Sequence, residues 1–191
     1  MKPSAFSHAV LRSYRPEALM QWYIDLLDGE VTYDSPGFKA MTYDSEHHRI
    51  GFVTLVEDKQ QDRTQPGLLH LAYTYPGIHA LLRQYERMRD LGHKPVVAVD
   101  HGPTLSLYYR DPDGGNAECF VDRFSAEQAI EFMKSPLYLQ NFVGYDIDLE
   151  DMLARMEAGA TEEELMVFDE KKALSTDVQE IATRNGRLME E

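Results

Sequence analysis

The chain is short of cysteine, of basic residues and of long apolar runs. Cys119 is the single cysteine among 191 residues, which excludes an intramolecular disulfide and fits a reducing compartment. Lys and Arg number 19 against 33 Asp and Glu, for a formal net charge of −14. The imbalance is uneven: from Asp122 onward there are 17 acidic and 7 basic side chains, so most of the negative charge lies in the last third. Neither part has the basic stripe that nucleic acid or an anionic membrane surface requires. No run approaches the roughly 20 apolar residues that span a bilayer. The opening stretch from Met1 to His8 has no apolar core of a secretory signal. These absences predict a cytoplasmic protein with no nucleic-acid or membrane partner.

What is present is a duplicated plan. In the first segment an alternating strand, Phe6–Leu11, precedes Pro16, whose fixed φ suits the first turn of a helix. Leu19, Trp22, Tyr23, Leu26 and Leu27 follow at helical spacing until Gly29, and strands are predicted near 30–33, 39–44 and 49–56. The second segment repeats this order. A strand at 68–73 is followed by Pro76, by a helix with Ile78, Leu81, Leu82, Tyr85, Met88 and Leu91 on one face, and by Gly92. Strands are then predicted near 96–99, 105–110 and 117–122. Each segment reads strand–helix–strand–strand–strand, and His8 and His70 fall in equivalent first strands. The polar stretch 57–67, ending in Pro66-Gly67, reads as the exposed connection.

The predicted class is therefore α+β: two paired βαβββ modules, about 5–57 and 67–122, forming a curved mixed sheet within a domain spanning 1–122. A helical acidic extension, 123–191, follows. Asp148 and Gly159 bracket one helix of this extension, and Thr161 with Glu164 has capping-box spacing. Ser175 or Thr176 is expected to cap a last helix ending near Gly186. These helices either wrap the domain or join a second subunit, and a homo-oligomer is the expectation.

The stretch from Val99 to Glu118 carries His101, Tyr108, the turn Asp111-Pro112-Asp113-Gly114 and the carboxylate of Glu118 in fixed order. A carboxylate four residues past that turn falls inside the returning strand, where a charge is costly unless paired or metal-bound. Alone, His8, His70 or Glu118 reads as an ordinary strand residue. The two histidines at repeat-equivalent positions change that reading. Pairing the modules around a cavity would bring His8, His70 and Glu118 to one point as two imidazoles and a carboxylate with open positions beside them. This set suits non-haem Fe(II) oxygen chemistry, and other divalent metals also fit it. Cys119, next to Glu118 in the strand, should face the opposite way as a buried, inert thiol.

The same stretch resembles the signature of type I extradiol ring-cleavage (catechol) dioxygenases, within the vicinal oxygen chelate superfamily. Val99, His101, Leu107-Tyr108, Asp111-Pro112, Gly114 and Glu118 are the matching residues. The module-level likeness runs from about residue 5 to 122 and is to one-domain members. The segment 141–146 before the acidic helix resembles them as well. The resemblance implies Fe(II), with Mn(II) an alternative, held by His8, His70 and Glu118, and cleavage of a catechol-type diol by O2 in aromatic hydrocarbon catabolism. It further implies that His48 of the His47-His48 pair is the acid–base residue. Tyr108 would hydrogen-bond a substrate oxygen, and His101 would help position substrate or the surrounding shell. The chain departs from many two-domain relatives at Gly102-Pro103-Thr104, where they carry Asn-Asp.

Two other classes stand beside this one. A glyoxalase-like isomerase or epimerase of the same superfamily commonly takes a fourth ligand, Glu or Gln, from the last strand of the first module. Residues 49–56 hold neither. A non-catalytic small-molecule binding protein would not need the His/Glu set.

Overall fold

A computed structural model of the protein describes residues 1–55, 67–179, 181 and 183. Two compact units are formed, one of Met1–Gln65 with Asp111–Gly115, the other of Pro66–Arg110 with Asn116–Glu191. The connection expected at 57–67 lies almost wholly outside the described residues.

In the first unit the order is β1 (Ala9–Ser13), α1 (Pro16–Leu27), β2 (Glu30–Asp34), β3 (Phe38–Thr42) and β4 (Ile50–Thr54). The sheet order is β1-β4-β3-β2, with β1 parallel to β4 and the remaining pairs antiparallel. Parallel neighbours need a crossover connection, and the stretch containing α1 begins it. Pro16 opens the helix, and Leu19, Trp22, Tyr23 and Leu26 are buried on its inner face. Each such side chain contributes roughly 1.5–3 kcal/mol of transfer free energy. Met41, Ile50 and Phe52 complete this core. The helix stops one residue earlier than Gly29, because Asp28 itself takes the left-handed conformation, with φ 52°. The first strand starts at Ala9, later than its alternation suggests, so His8 stands one residue outside it.

The second unit continues with β5 (His70–Thr74), α2 (Ile78–Asp90), β6 (Val97–Asp100), β7 (Thr104–Arg110) and β8 (Asn116–Asp122). Here β5 is parallel to β8, and the strands lie in the order β5-β8-β7-β6. The module order βαβββ thus occurs twice, as the sequence predicts, and the strands of each module form their own mixed sheet. The extension supplies α3 (Ala126–Met133), α4 (Pro136–Gln140), β9 (Tyr145–Asp146), α5 (Leu149–Glu157), α6 (Glu162–Leu165) and α7 (Glu170–Ser175). β9 joins the sheet edge beside β6.

Caps define these helices. Asp148 accepts the amides of Glu150 and Asp151 to open α5, and Thr161 with Glu164 forms the expected capping box. The acidic surface is partly used against α2: Tyr85 donates to Glu150 Oε1 at 2.7 Å, and Arg89 Nη1 donates to Oε2 at 2.9 Å. Asp169 caps α7, which ends at Ser175. A further helical stretch follows Thr176, as expected, with residues 178, 179, 181 and 183 helical. It is opened not by Ser175 or Thr176 but by Asp177, whose Oδ1 accepts the Gln179 amide and whose carbonyl accepts the Ile181 amide, each at 3.0 Å. The stretch toward Gly186 lies mainly outside the described residues. Among the described residues no helix is long and apolar enough to cross a membrane.

Candidate active site

Strand register assembles one set of functional side chains in the second unit. His70 pairs with Asn116 and Ala72 with Glu118 between β5 and β8, while Tyr108 lies opposite Glu118 between β7 and β8. Alternation along β8 puts Asn116, Glu118 and Phe120 on one face and Ala117, Cys119 and Val121 on the other. Cys119 is fully buried, and burial pushes its thiol up to about 12, as expected for an inert cysteine.

On the opposite face His70 Nε2 stands 3.0 Å from Glu118 Oε2. Burial works to raise the Glu118 carboxyl, but hydrogen bonds from His70 and Ser106 outweigh it and hold the group below its usual range. Glu118 is therefore a carboxylate at neutral pH. An imidazole nitrogen and a carboxylate oxygen each about 2.1 Å from one ion would stand about 3 Å apart if they took adjacent positions. The pair fits a metal in this respect. His70 Nδ1 and both polar atoms of the Asn116 amide are buried without a hydrogen-bond partner among the described residues. Orphaned groups of this kind are costly, so this face suits a polar guest.

Tyr108 and His101 adjoin the pair. The Tyr108 ring meets His70 edge-on at 5.4 Å between centroids. Burial, then the charge of Glu118, raises the phenol well above its ordinary value, so it stays protonated. His101 Nε2 lies 3.1 Å from the Tyr108 hydroxyl, and its Nδ1 lies 2.7 Å from the carbonyl oxygen of Val143. Burial depresses the protonation of His101.

The other predicted residues lie in the first unit. His8 is exposed and its ring lies 4.3 Å from that of His48, tilted by 32°, and the His48 ring lies 4.4 Å from that of His47, tilted by 39°. Burial, and then the neighbouring His8 and His47, lower the protonation of His48. Arg49 fixes the approach to His8. Its guanidinium grips the Asp44 carboxylate at 2.9–3.1 Å and donates to the carbonyls of Phe6 and Ser7 at 2.9 and 2.8 Å. The structure thus groups His70, Glu118, Tyr108 and His101 in one unit and His8, His47 and His48 in the other. Among the described residues no three His, Cys, Asp or Glu side chains stand together as a metal-binding cluster.

Sequence reasoning missed a buried network behind His101. Arg123 clasps Asp100 with Nη1 at 2.8 Å and Nη2 at 2.6 Å, both side chains being under one-tenth exposed. Tyr145 donates to Asp100 Oδ2 at 3.0 Å. Val143 was also missed. The only signal for it was the likeness of 141–146 to one-domain relatives, which pointed to the segment without giving its role.

The family model for the glyoxalase/bleomycin resistance protein/dioxygenase superfamily matches residues 5–118. Biphenyl-2,3-diol 1,2-dioxygenase 2 of Rhodococcus globerulus is 40% identical over 147 residues, covering 75% of this chain and 76% of that protein. Biphenyl-2,3-diol 1,2-dioxygenase 3 of the same organism is 36% identical over 162 residues, covering 83% and 85%. Among solved structures, a glyoxylase/bleomycin resistance protein/dioxygenase domain from Frankia sp. EAN1pec superposes with a TM-score of 0.55 at 20% identity, covering 64% of this chain and all of that one. Lactoylglutathione lyase from Agrobacterium tumefaciens gives 0.51 at 18% identity, covering 63% and 96%. The fold is therefore shared across enzymes of different names, whereas the sequence likeness is to dioxygenases. With its family match spanning both modules, the chain belongs to the glyoxalase/bleomycin resistance protein/dioxygenase superfamily, the vicinal oxygen chelate proteins.

Proposed function

We propose that the protein is a metal-dependent extradiol dioxygenase. It breaks the ring carbon–carbon bond beside the two hydroxyl-bearing carbons of an aromatic vicinal diol and places both atoms of O2 in the product. The observation that carries this reading is the His70–Glu118 pair with Tyr108 on one sheet face and His101 held against Tyr108 from the adjoining loop. The two Rhodococcus relatives named for biphenyl-2,3-diol support it.

The proposed metal is Fe(II), with Mn(II) the alternative, and the proposed ligands are His8, His70 and Glu118. A metal held by these residues would supply coordination of the diol and of O2 and the electron transfer between them. The remaining work falls to this chain. Glu118 is already ionised, so no proton need leave it on loading. Tyr108 stays protonated and hydrogen-bonds a diol oxygen, which fixes the orientation of the ring. His101 holds the Tyr108 hydroxyl. His48, an imidazole with depressed protonation, exchanges a proton with the reacting oxygens near neutral pH. We also assign the enzyme to the cytoplasm as a homo-oligomer.

The test is anaerobic purification with Fe(II), followed by O2 and a panel of catechols that includes 2,3-dihydroxybiphenyl. Yellow ring-fission products are expected in the visible spectrum. Absence of product from every mono- and bicyclic catechol at full iron loading removes this reading.

A further inference from the structure

His101 sits in the short connection between β6 and β7, and its two ring nitrogens face different partners. A carbonyl oxygen can only accept, so the 2.7 Å contact with Val143 requires the hydrogen on Nδ1. A neutral ring so arranged has a lone pair on Nε2. The Tyr108 hydroxyl, 3.1 Å away, must then be the donor. This matters because the single Tyr108 proton has two acceptors within reach, His101 Nε2 and Glu118. With the other tautomer, His101 Nε2–H would donate to Tyr108 and the tyrosine would turn its proton to Glu118.

The carbonyl that decides this is held from both sides. Asn141 is buried; its amide nitrogen donates to Gly144 O at 3.0 Å and Ala173 O at 2.8 Å, and its oxygen accepts Gly144 N–H at 2.8 Å. Gly144 has φ +86°, and a Cβ there would meet the Asp100 carbonyl oxygen at 1.9 Å and His101 Cα at 2.8 Å. Those are backbone atoms with no freedom to step aside, so only glycine lets the turn close on the His101 loop. Beyond it, Tyr145 pairs with Asp100 in the strand register, donates to its carboxylate at 3.0 Å, and accepts the Asp169 amide at 2.8 Å.

We propose that the Asn141–Tyr145 turn of the C-terminal extension is a positioning device. It fixes His101 in the Nδ1–H form, so that the Tyr108 hydroxyl points at His101 and its oxygen is presented as an acceptor to the diol. This rests on the proposed dioxygenase reading for its consequence, though not for its geometry. Val143, Gly144 and Asn141 are positioning residues: they act through His101 on the group that meets substrate. The extension is thereby given a role in the second module's chemistry.

The test uses full-length metal-free protein labelled with 15N-histidine, in which multiple-bond 15N–1H correlation reads the tautomer of each ring. The His101 signals are those lost in His101→Gln. The wild type is expected in the Nδ1–H form. Gly144→Ala is compared with Gly159→Ala, which has a similar φ of +95° but nothing within 4 Å of the added Cβ. Gly159→Ala should keep the wild-type pattern, and Gly144→Ala should move His101 to the Nε2–H form or a mixture. Should Gly144→Ala not fold, Asn141→Asp takes its place, since it loses both donors while keeping the acceptor for Gly144. In the iron-loaded enzyme the displaced variant should lose about tenfold in kcat, in line with removal of a supporting hydrogen bond. Its KM should stay within about twofold, as for a loss felt in the transition state. A wild-type Nε2–H signal overturns the inference, and so does an unchanged Nδ1–H signal in both displaced variants. Failure of the wild type to cleave any diol would instead strike the dioxygenase reading and leave the tautomer result standing.

Discussion

The two modules share a frame and differ in what they hang on it. In both, the first strand lies parallel to the last, so register aligns them residue by residue. Val10 faces Gly51 in the first where Ala72 faces Glu118 in the second. At the position of the carboxylate the first module therefore has no side chain. A Cβ on Gly51 would come within 2.8 Å of the Phe38 ring, which already takes that space. The histidines differ in the same way. His8 is exposed, precedes its strand, and is approached by backbone carbonyls that Arg49 gathers. His70 begins its strand beside a buried carboxylate, a protonated tyrosine and a second histidine braced by the extension. A duplicated fold has kept one imidazole at the equivalent position in each half, with Glu118, Tyr108 and His101 gathered in the second and the His47-His48 pair in the first.

The largest effects should come from the three proposed ligands, two of them in the second module. Glu118→Ala removes a proposed ligand and leaves His70 without its partner; iron content measured on the purified protein should fall to background, and ring cleavage with it. His70→Ala should do the same. His8→Ala should also abolish binding. If all three variants kept stoichiometric iron, the proposed ligand set would fail. Loss in the two second-module variants with retention in His8→Ala would break the symmetry of the histidines and put the site in one module.

Next in size is the buttress. Arg123→Met leaves Asp100 buried without its cation, and breaking a buried pair in this way costs about 3–5 kcal/mol. Urea unfolding should show that loss. A change below about 1 kcal/mol, the size usual for exposed ion pairs, would mean that the Asp100–Arg123 clasp does not hold the second module as its burial implies.

The contrast between what was legible and what was not follows the range of the forces. Apolar spacing located α1 and α2, because burial of one helical face imposes a local period. Two matched periods exposed the duplication, and with it His8 and His70. The caps at Asp148 and Thr161 were readable because capping is decided within three residues. Ser175 and Thr176 misled for a related reason. Both hydroxyls donate to the Lys172 carbonyl, at 3.1 and 2.7 Å, closing the end of α7. A hydroxyl near a helix end can accept an amide or donate to a carbonyl, so residue type alone does not give direction. The helices α3 and α4 bury no residue, so the apolar positions of α3, Ala126, Ala129, Ile130 and Met133, have no core to report. β9, of two residues, is too short to alternate. Asp100 and Arg123 are partners across 23 residues, and the Val143 carbonyl acts through the backbone, which leaves no mark in residue type.

The smallest effect should come from the first module, through Arg49. Arg49→Lys keeps the charge but loses the planar fork that reaches Asp44 and two carbonyls together. The grip lies near the surface, where solvent screens such pairs and they contribute little, so the thermal midpoint should hardly move. What should change is local: the strand amide of Ala9, which donates to the Arg49 carbonyl at 3.0 Å, should exchange faster with deuterium. If a supporting contact of His8 has been lost, iron affinity should weaken by about tenfold. Acid should mimic the variant in the metal-free protein. The Asp44 carboxyl is held below its usual range by hydrogen bonds from Arg49 and then from the Glu46 amide. Its contribution is therefore fully present above the unfolded carboxylate value and is lost as pH falls through the lowered one. Exchange at Ala9 should accelerate in that acid window beyond its intrinsic pH dependence, and Asp44→Asn should remove the extra step. If Arg49→Lys instead cost as much stability as Arg123→Met, the first module would be as firmly built as the second, and the comparison between them would fail.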